Sequence, residues 1–521
     1  MSTARRGEGS LARLADGILL PPFPGPVAPR WVLAALEHGL AGVTLFGPNV
    51  SGQEQVGSLT AALRAAAPEP VIAIDEEGGD VTRLAHLTGS PYPGNAALGA
   101  VDDTDLTEAV YRALGADLAA VGINTDLAPS VDVNSAVGNP VIGTRAFGDS
   151  TELVGRHAAA AVTGLQAAGL AACAKHFPGH GSTRDDTHEV IATVEGGVDR
   201  LRVRDLPPFA AAIAAGVAAV MPGHLRVPGL TGDLPATLSP AALLGLLRGE
   251  LGFTGVIISD ALEMRAVSGH DGLAAAAVRA VAAGVDLLCL GRDQDEEDYL
   301  AVRAAVTAAA RDGSLPLERL EESAARVARF RAMLAGKRLP AAGGRAGAGG
   351  HAGAAPALRP DERVGLAAAR RALRATGLPA RVASPVVIEI AAPWNVAVGS
   401  VPWGLAPWLP AGSVVRVPPA GARGARTVPE TARTVSEAVG RAAGRSVIAV
   451  VRNAHRDPSA RALISQLLAA RPDAIVVEMG LPVWRPPARA YLATYGASRI
   501  SGQAAAEMLG LTSRAVELGH R

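Results

Sequence analysis

Between residues 169 and 188 an apolar run passes directly into a polar loop, and the two together read Gly169-Leu-Ala-Ala-Cys-Ala-Lys-His-Phe-Pro-Gly-His-Gly-Ser-Thr-Arg-Asp-Asp-Thr-His188. The apolar part predicts a buried strand. The loop contains three histidines, two aspartates, an arginine and one of the chain's two lysines, and it is interrupted by two glycines and a proline. A strand that ends in such a loop is where α/β proteins place catalytic and binding residues.

Seven further apolar runs resemble this strand, and alanine-rich segments of helical period separate them. The eight predicted strands are Gly17–Leu20, Gly42–Phe46, Val71–Asp75, Val121–Leu127, Ala171–Lys175, Val217–Met221, Thr254–Asp260 and Val285–Leu290. Strands that are apolar on both faces are typical of a parallel sheet covered by helices. Eight strand–helix units in about 300 residues predict an α/β fold of the (β/α)8 TIM-like barrel type. A doubly wound open sheet remains an alternative, although no Gly-x-Gly-x-x-Gly motif follows the first strand.

Polar residues follow several of these strands at the same position, the carboxyl end. They are Asp75, Asp126, Lys175 with His176, His224 and Asp260. Active sites of (β/α)8 barrels are built at that end of the strands. The sequence therefore predicts that these side chains meet at one rim of the barrel.

The length of 521 residues predicts at least two domains. We expect a catalytic barrel at residues 1–337, a Gly/Ala-rich linker at 338–358, and a smaller C-terminal α/β sandwich domain at 359–521. Four apolar runs predict strands in the second domain: Pro385–Ile390, Ser413–Val417, Ser446–Val451 and Asp473–Met479. Because that domain has no loop dense in titratable groups, we expect its Asn453-Ala-His455 segment to be a turn.

Composition excludes several classes of partner. The formal net charge is zero and no basic patch is visible, which argues against nucleic acid as a partner. No apolar span of membrane length and no apolar signal core occur, so we expect no membrane partner and a cytoplasmic location. Cys173 and Cys289 both lie in apolar runs and are expected to be buried free thiols.

Two features of the loops predict chemistry. Asp260 could act as a nucleophile, a base or a metal ligand, or it could simply cap the helix that follows. In the Asp186-Thr-His188 segment, residues two apart point to the same side of an extended chain, so the carboxylate can orient the imidazole and raise its basicity. Such a histidine can exchange a proton near neutral pH, although the pair could also only stabilise the loop.

Five more residues could bind a polyhydroxylated ligand through donors and acceptors. These candidates are Asp75, Arg83, Arg145, Lys175 and His176. Nearly all basic residues of this chain are arginines, and Lys175 is one of only two lysines. An ammonium group binds differently from a guanidinium group, so we expect the lysine to be needed at this position.

Several of these motifs together resemble glycoside hydrolase family 3, and specifically its β-N-acetylhexosaminidase branch. They are Gly42-Val-Thr-Leu-Phe-Gly-Pro-Asn49, Ile74-Asp-Glu-Glu-Gly-Gly79, Asn139-Pro-Val-Ile-Gly-Thr-Arg145, Lys175-His-Phe-Pro-Gly-His-Gly181, Asp186-Thr-His188 and Ser259-Asp-Ala-Leu-Glu-Met264. The Lys-His-Phe-Pro-Gly-His-Gly run with Asp-x-His downstream is the most specific of these signatures. The region after residue 446 is similar, more weakly, to the family's second domain.

The resemblance implies a retaining exo-β-N-acetylglucosaminidase that acts on terminal N-acetylglucosamine, with cell-wall fragments as the expected substrate. Asp260 would form a covalent glycosyl-enzyme, and His188 paired with Asp186 would be the acid/base. The five ligand-binding candidates align with the family's sugar-binding positions. Some family members are phosphorolytic, so a β-N-acetylglucosaminide phosphorylase is an alternative.

The chain departs from the family pattern at two positions beside the expected sugar site. Glu76 stands where the family usually has glutamine, and Asp80 stands where it usually has arginine. Both changes add negative charge near the expected sugar site, so the family resemblance does not fix the exact substrate.

Two other classes of function compete with this interpretation. A metal-dependent hydrolase on the same barrel could use zinc ligands drawn from four histidines and one aspartate, namely His176, His180, His188, His224 and Asp260. Against it, the first strand ends in prolines instead of a His-x-His pair, and Lys175 would add a cation to the cluster. The other competitor is a non-catalytic sugar-binding protein. We expect no cofactor and no metal.

Overall fold

The computed structural model describes residues 3–185, 191–269, 271–337, 362–392, 397–418, 428–440, 442 and 444–511. Contacts group these residues into two compact units. The first unit contains residues 3–77, 107–142 and 148–337, and the second contains residues 78–106, 143–147 and those from 362 onward. The predicted domain boundaries at residues 337 and 359 stay a prediction.

The strands of the first unit are short and buried on both faces, as the apolar runs predict. Their bounds are β1 Leu19–Leu20, β2 Gly42–Leu45, β3 Val71–Ile74, β4 Thr125–Asp126, β5 Ala171–Phe177, β6 Ala192–Thr193, β7 Ala219–Pro222, β8 Leu225–Arg226, β9 Val256–Ile257 and β10 Leu288–Cys289. Six of them form one parallel sheet in the order β2-β3-β4-β5-β7-β9. Strands β6 and β8 form a separate parallel pair.

Backbone hydrogen bonds close this sheet into a ring of eight strands. Strand β9 continues to β10 through a parallel bridge between Ile258 and Leu287. Strand β10 pairs with β1, where Leu19 lies opposite Leu288. The segment after β1 then returns to β2, because the amide of Thr44 donates to the carbonyl of Pro21 at 3.3 Å. The predicted barrel is confirmed, and the eight predicted strands are the eight members of its ring.

Helices follow the barrel strands along the chain. Their bounds are α1 Thr3–Asp16, α2 Arg30–Glu37, α3 Gln53–Ala66, α4 Asn95–Val101, α5 Thr104–Ala120, α6 Thr151–Ala167, α7 Gly197–Arg204, α8 Leu206–Ala214, α9 Arg265–Ser268, α10 Gly272–Ala283, α11 Glu296–Asp312 and α12 Leu317–Lys337, with a π-type helix at Ala241–Glu250. Their ends follow local chemistry. Asp295 caps α11 by accepting from the amides of Glu297 and Asp298, and Gly313 ends the helix in the left-handed conformation.

The second unit contains a six-stranded sheet between two helical layers. Its strands are β11 Arg374–Thr376, β12 Val386–Ile390, β13 Val414–Val417, β14 Val447–Val451, β15 Ile475–Glu478 and β16 Ala490–Ala493, in the order β11-β16-β15-β14-β12-β13. All neighbours are parallel except β11 and β16. Its later helices are α13 Glu362–Ala372, α14 Val428–Gly440, α15 Pro458–Ala470 and α16 Arg499–Met508. Helices α14 and α15 pack on one face of the sheet, and α13 and α16 pack on the other. The predicted α/β sandwich is confirmed.

Three smaller predictions concern single residues or segments. Asn453 has a φ of +55° just after β14 and begins a turn, as expected. Cys173 and Cys289 are buried free thiols, also as expected. Within the described part of the chain, no helix combines the length and apolar character needed to cross a bilayer.

Candidate active site

Asp260 lies just past the carboxyl end of β9, and residues on both sides of it are bonded to the segment that contains β10. The amide of Ser259 donates to the carbonyl of Leu287 at 2.9 Å, and the amide of Leu262 donates to the carbonyl of Cys289 at 3.1 Å. The carboxylate of Asp260 is half-buried and accepts a 2.8 Å bond from the amide of Ala261 through Oδ1. The next helix begins at Arg265 with Met264 as its N-cap, so Asp260 does not cap it.

Lys175 lies in β5, and its ammonium group contacts two carboxylates. Its Nζ is 2.7 Å from Oδ1 of Asp75 and 2.8 Å from Oε1 of Glu77, and the lysine side chain is only 2% exposed. The ammonium offsets one of the two carboxylate charges, so the cluster carries a net charge of −1. Asp75 keeps 20% of its side chain exposed. The cluster therefore presents a carboxylate acceptor that a buried cation holds in place.

His176, the next residue of β5, is fixed by a buried carboxylate that the sequence analysis did not single out. Its Nδ1 lies 2.8 Å from Oδ2 of Asp132, which is wholly buried. Oδ1 of Asp132 accepts from the amide of His180 at 2.6 Å, so one side chain orients the imidazole and also fixes the start of the polar loop. Burial alone would raise the pKa of Asp132, but the charge and hydrogen bonds of His176 and His180 hold it below its usual value.

The loop between His180 and Arg184 is anchored by further hydrogen bonds. Nδ1 of His180 contacts Oγ1 of Thr183 at 2.7 Å, and Asn139 donates from Nδ2 to the carbonyl of His180 at 2.9 Å. Asp186 and His188, the proposed acid/base pair, lie outside the described residues.

Charged residues at the ends of four barrel strands influence the buried thiol of Cys173. Burial raises the pKa of the Cys173 thiol most strongly; Asp75, Asp126 and Asp260 raise it further, and Lys175 opposes them. Four of the predicted rim residues, which come from β3, β4, β5 and β9, are therefore close enough to influence a single thiol.

Asp126 differs from the other rim carboxylates because it is completely buried. Its Oδ1 accepts from the amide of Glu76 at 3.0 Å, while its Oδ2 has no hydrogen-bond partner among the described residues. Desolvation is the main reason that its pKa lies well above the usual value, and the nearby charges of Glu76 and Asp75 add to the effect.

Two predicted sugar-binding residues belong to the second unit. Arg83 donates from Nη2 to the carbonyl of Ala397 at 2.8 Å. Arg145 is buried at the end of a short 3₁₀ turn, Gly143–Arg145, and its carbonyl accepts from Asn95.

Asp80, one of the departures from the family pattern, has a clear structural role in the second unit. Its Oδ2 pairs with Nη2 of Arg452 at 3.1 Å and accepts from the hydroxyl of Thr144 at 2.6 Å, while Oδ1 accepts from the amide of Ala497 at 2.8 Å. The negative charge of Asp80 is therefore paired with Arg452, and its carboxylate joins three separate chain segments.

The histidines and carboxylates of the described residues include no group of three or more that is placed to hold a metal ion. His224, a possible zinc ligand by sequence, has both ring nitrogens in hydrogen bonds to Thr237 and Ala261.

Two carboxylates at this site, Asp132 and Glu77, are not among the residues predicted from the sequence. Glu77 lies two residues after Asp75 in an acidic turn, from which only Asp75 was predicted as a binding residue. Asp132 lies between Val131 and Val133 shortly after β4, and a single aspartate within an apolar segment at the carboxyl end of a barrel strand was the available signal.

Comparisons with known proteins identify the family of the chain. The model of the glycosyl hydrolase family 3 N-terminal domain matches residues 31–330, more than half of the chain. A β-hexosaminidase of Stenotrophomonas maltophilia is 41% identical over 261 residues, which cover 49% of this chain and 77% of that protein. A β-hexosaminidase of Xylella fastidiosa is 38% identical over 275 residues, covering 51% of this chain and 81% of that protein.

Among solved structures, a family 3 β-N-acetylglucosaminidase from Paenibacillus is similar with a TM-score of 0.82 and 32% identity, covering 96% of this chain and 97% of that one. The resemblance predicted from the sequence motifs is thereby confirmed. The chain belongs to glycosyl hydrolase family 3 and is a glycoside hydrolase.

Proposed function

We propose that this enzyme hydrolyses β-glycosides of N-acetylglucosamine and removes the terminal sugar. The observation that carries the proposal is the placement of Asp75, Lys175 and Asp260 at the carboxyl ends of the barrel strands β3, β5 and β9, where Nζ of Lys175 lies 2.7 Å from Oδ1 of Asp75. The 97% coverage of the Paenibacillus β-N-acetylglucosaminidase supports the choice of substrate.

The proposed reaction has two steps and retains the β configuration. A carboxylate oxygen of Asp260 attacks the anomeric carbon, and the bond to the leaving oxygen breaks as that oxygen takes a proton from His188. A covalent glycosyl-enzyme results. His188 then removes a proton from water while the water attacks the same carbon, and the bond to Asp260 breaks. Asp186 orients the imidazole through a hydrogen bond.

Substrate binding in this proposal depends on fixed donors and acceptors. The Asp75 carboxylate, held by Lys175, accepts hydrogen bonds from sugar hydroxyls. His176 is presented by Asp132 in one orientation. Arg83 and Arg145 stay predicted sugar-binding residues of the second unit. Cell-wall fragments as natural substrates and a cytoplasmic location are also part of the proposal, and the family resemblance supports the first.

The test uses aryl β-N-acetylglucosaminides with leaving groups of different acidity. We expect Asp260→Ala and His188→Ala to abolish hydrolysis of poorly activated substrates. His188→Ala should keep more activity on strongly activated ones, because those leaving groups need no proton. His38→Ala changes an exposed histidine and is the matched control. Equal loss on all leaving groups would refute the acid role of His188.

Product analysis decides between water and phosphate as the acceptor. In phosphate buffer we expect free N-acetylglucosamine. A sugar 1-phosphate as the main product would instead identify a phosphorylase on the same site. Full activity of Asp260→Ala would refute the proposed nucleophile.

A further inference from the structure

His224 is a buried histidine at the barrel rim for which the proposed reaction has no direct use. It follows β7 and is 1% exposed. Its Nδ1 lies 2.8 Å from Oγ1 of Thr237, and its Nε2 lies 2.9 Å from the carbonyl oxygen of Ala261, the residue after Asp260. A side chain so enclosed acts through the groups it contacts.

The hydrogen bond to Ala261 fixes the protonation of one ring nitrogen. A carbonyl oxygen only accepts, so Nε2 of His224 carries the proton and donates. Thr237 completes the arrangement on the other side of the ring, because its hydroxyl also lies 3.1 Å from the carbonyl of Gly223. The imidazole is thus held between the turn after β7 and the turn after β9.

The peptide group that receives this hydrogen bond is held at both ends. Its carbonyl belongs to Ala261 and accepts from His224, while its N–H belongs to Leu262 and donates to the carbonyl of Cys289 at 3.1 Å. On the other side of Asp260, the amide of Cys289 donates to Oγ of Ser259 at 2.9 Å. The chain is therefore fixed immediately before and immediately after Asp260. The Ala261 carbonyl also accepts from the amide of Met264 at 3.2 Å, a bond within the same turn, so His224 provides the hydrogen bond that ties this carbonyl to another barrel strand end.

We propose that His224 is a positioning residue for Asp260. By holding the Ala261 carbonyl, it sets the direction in which the neighbouring carboxylate leaves the backbone and keeps its oxygen in line with the anomeric carbon. A displacement of about 1 Å at a reacting group costs on the order of 100-fold in rate. The proposal rests on the proposed function, in which Asp260 is the nucleophile.

Two amide substitutions separate positioning from simple packing. In His224→Gln the side-chain amide nitrogen reaches the place of imidazole Nε2 and keeps the bond to Ala261. In His224→Asn the amide reaches only the place of Nδ1, so the contact with Thr237 is kept and the contact with Ala261 is lost. We expect kcat on an aryl β-N-acetylglucosaminide to fall less than about 10-fold in the Gln variant and roughly 100-fold in the Asn variant, with KM changed little in both. Equal kcat in the two variants would overturn the proposal.

A second measurement tests whether the effect passes through the carboxylate. In Asp260→Gly, added azide can take the place of the missing nucleophile, and its attack needs no positioned carboxylate. We expect His224→Asn to change the azide-supported rate less than about 3-fold in that background. A loss near 100-fold there would show that His224 acts on something other than Asp260 and would overturn the proposal.

Different results would contradict the proposed function and the positioning role of His224. If Asp260→Gly hydrolyses the substrate as well as the unchanged enzyme, the proposed function is wrong. If Asp260→Gly is inactive but the Gln and Asn variants of His224 match the unchanged enzyme, only the positioning role is wrong. Thermal unfolding of each variant identifies any loss of activity that comes from unfolding.

Discussion

Replacing Asp132 by asparagine is the most informative perturbation of the barrel site, because it changes charge and hydrogen bonding with almost no change of shape. Oδ1 of Asp132 accepts from the amide of His180, and an asparagine oxygen can keep that bond. Oδ2 accepts from Nδ1 of His176 and from the hydroxyl of Ser130 at 2.9 Å. An amide NH2 at the place of Oδ2 would face a ring N–H, so the proton must leave Nδ1 of His176 and move to Nε2.

The cost follows from these contacts. A hydrogen bond to a charged group contributes about 1.5–3 kcal/mol and a neutral one about 1 kcal/mol. Replacing the two charge-assisted bonds from His176 and Ser130 by neutral ones should therefore lower the free energy of unfolding by about 3 kcal/mol. At about 2–4 °C per kcal/mol, Tm of the barrel unit should fall by roughly 6–12 °C. Since the tautomer of His176 also changes, we expect kcat/KM to fall about 10-fold or more.

The pH dependence of the difference provides an internal check. The pKa of Asp132 lies below its usual value in the folded protein, so its carboxylate contributes stability above the unfolded pKa of 3.8, and this contribution is lost as pH falls through the folded pKa. The difference between the unchanged enzyme and Asp132→Asn should be full at pH 7 and shrink below pH 4.

Urea unfolding at several pH values and kcat/KM on an aryl β-N-acetylglucosaminide measure both effects. Asp233→Asn is the control, because the Asp233 side chain is fully exposed. Its Oδ1 is 3.9 Å from Nη1 of Arg226, too far for a hydrogen bond. An Asp132→Asn variant with unchanged Tm and unchanged kcat/KM would refute the role assigned to this carboxylate.

Three further substitutions test other parts of the structure. Lys175→Met removes the buried ammonium that contacts two carboxylates, and we expect a loss of about 3–5 kcal/mol in urea unfolding together with loss of activity; a stable, active variant would contradict the ion-pair assignment. Because burial raises the pKa of Asp126, the stability of the unchanged enzyme should decline as pH rises above the unfolded pKa of 3.8 and through the folded pKa. Asp126→Asn should gain stability relative to it over that range, and parallel pH profiles in chemical denaturation would count against this. Arg452→Met should destabilise the second unit by about 3 kcal/mol, because the side chains of Arg452 and its partner Asp80 are only 12% and 2% exposed. Arg416→Met should cost less than about 1 kcal/mol, because the Arg416 side chain is 69% exposed and its partner Glu389 keeps a hydrogen bond from the amide of Leu405. Equal effects in thermal unfolding would argue against the structural role of Asp80.

Local apolar patterning was sufficient to predict the barrel strands. The Val71–Ile74 and Ala171–Ala174 segments are buried on both faces and consist of apolar residues, so the signal needs no knowledge of neighbours. Strand β11 could not be predicted in the same way, because Arg374–Thr376 is an exposed edge strand of polar and small residues.

The residues of the candidate site likewise fall into those that local sequence predicts and those that it does not. Residues at strand ends, such as Asp75 and Asp260, could be predicted because strand order alone brings them to one rim. The role of Asp132 depends on a partner 44 positions away in sequence, and the assignment of Arg83 to the second unit depends on contacts such as the one to Ala397, 314 positions away. Such pairings are set by tertiary structure, and no local pattern encodes them.

Closure of the barrel between β1 and β10 has a consequence for how the protein is made. Leu19 is the partner of Leu288, so the first strand leaves the ribosome long before its neighbour on that side exists. At about 5–20 residues per second, the intervening chain takes on the order of 10 to 50 seconds to synthesise. Throughout that time one edge of the nascent sheet has no strand to pair with, and protecting this edge is a task for a chaperone or for the growing chain itself.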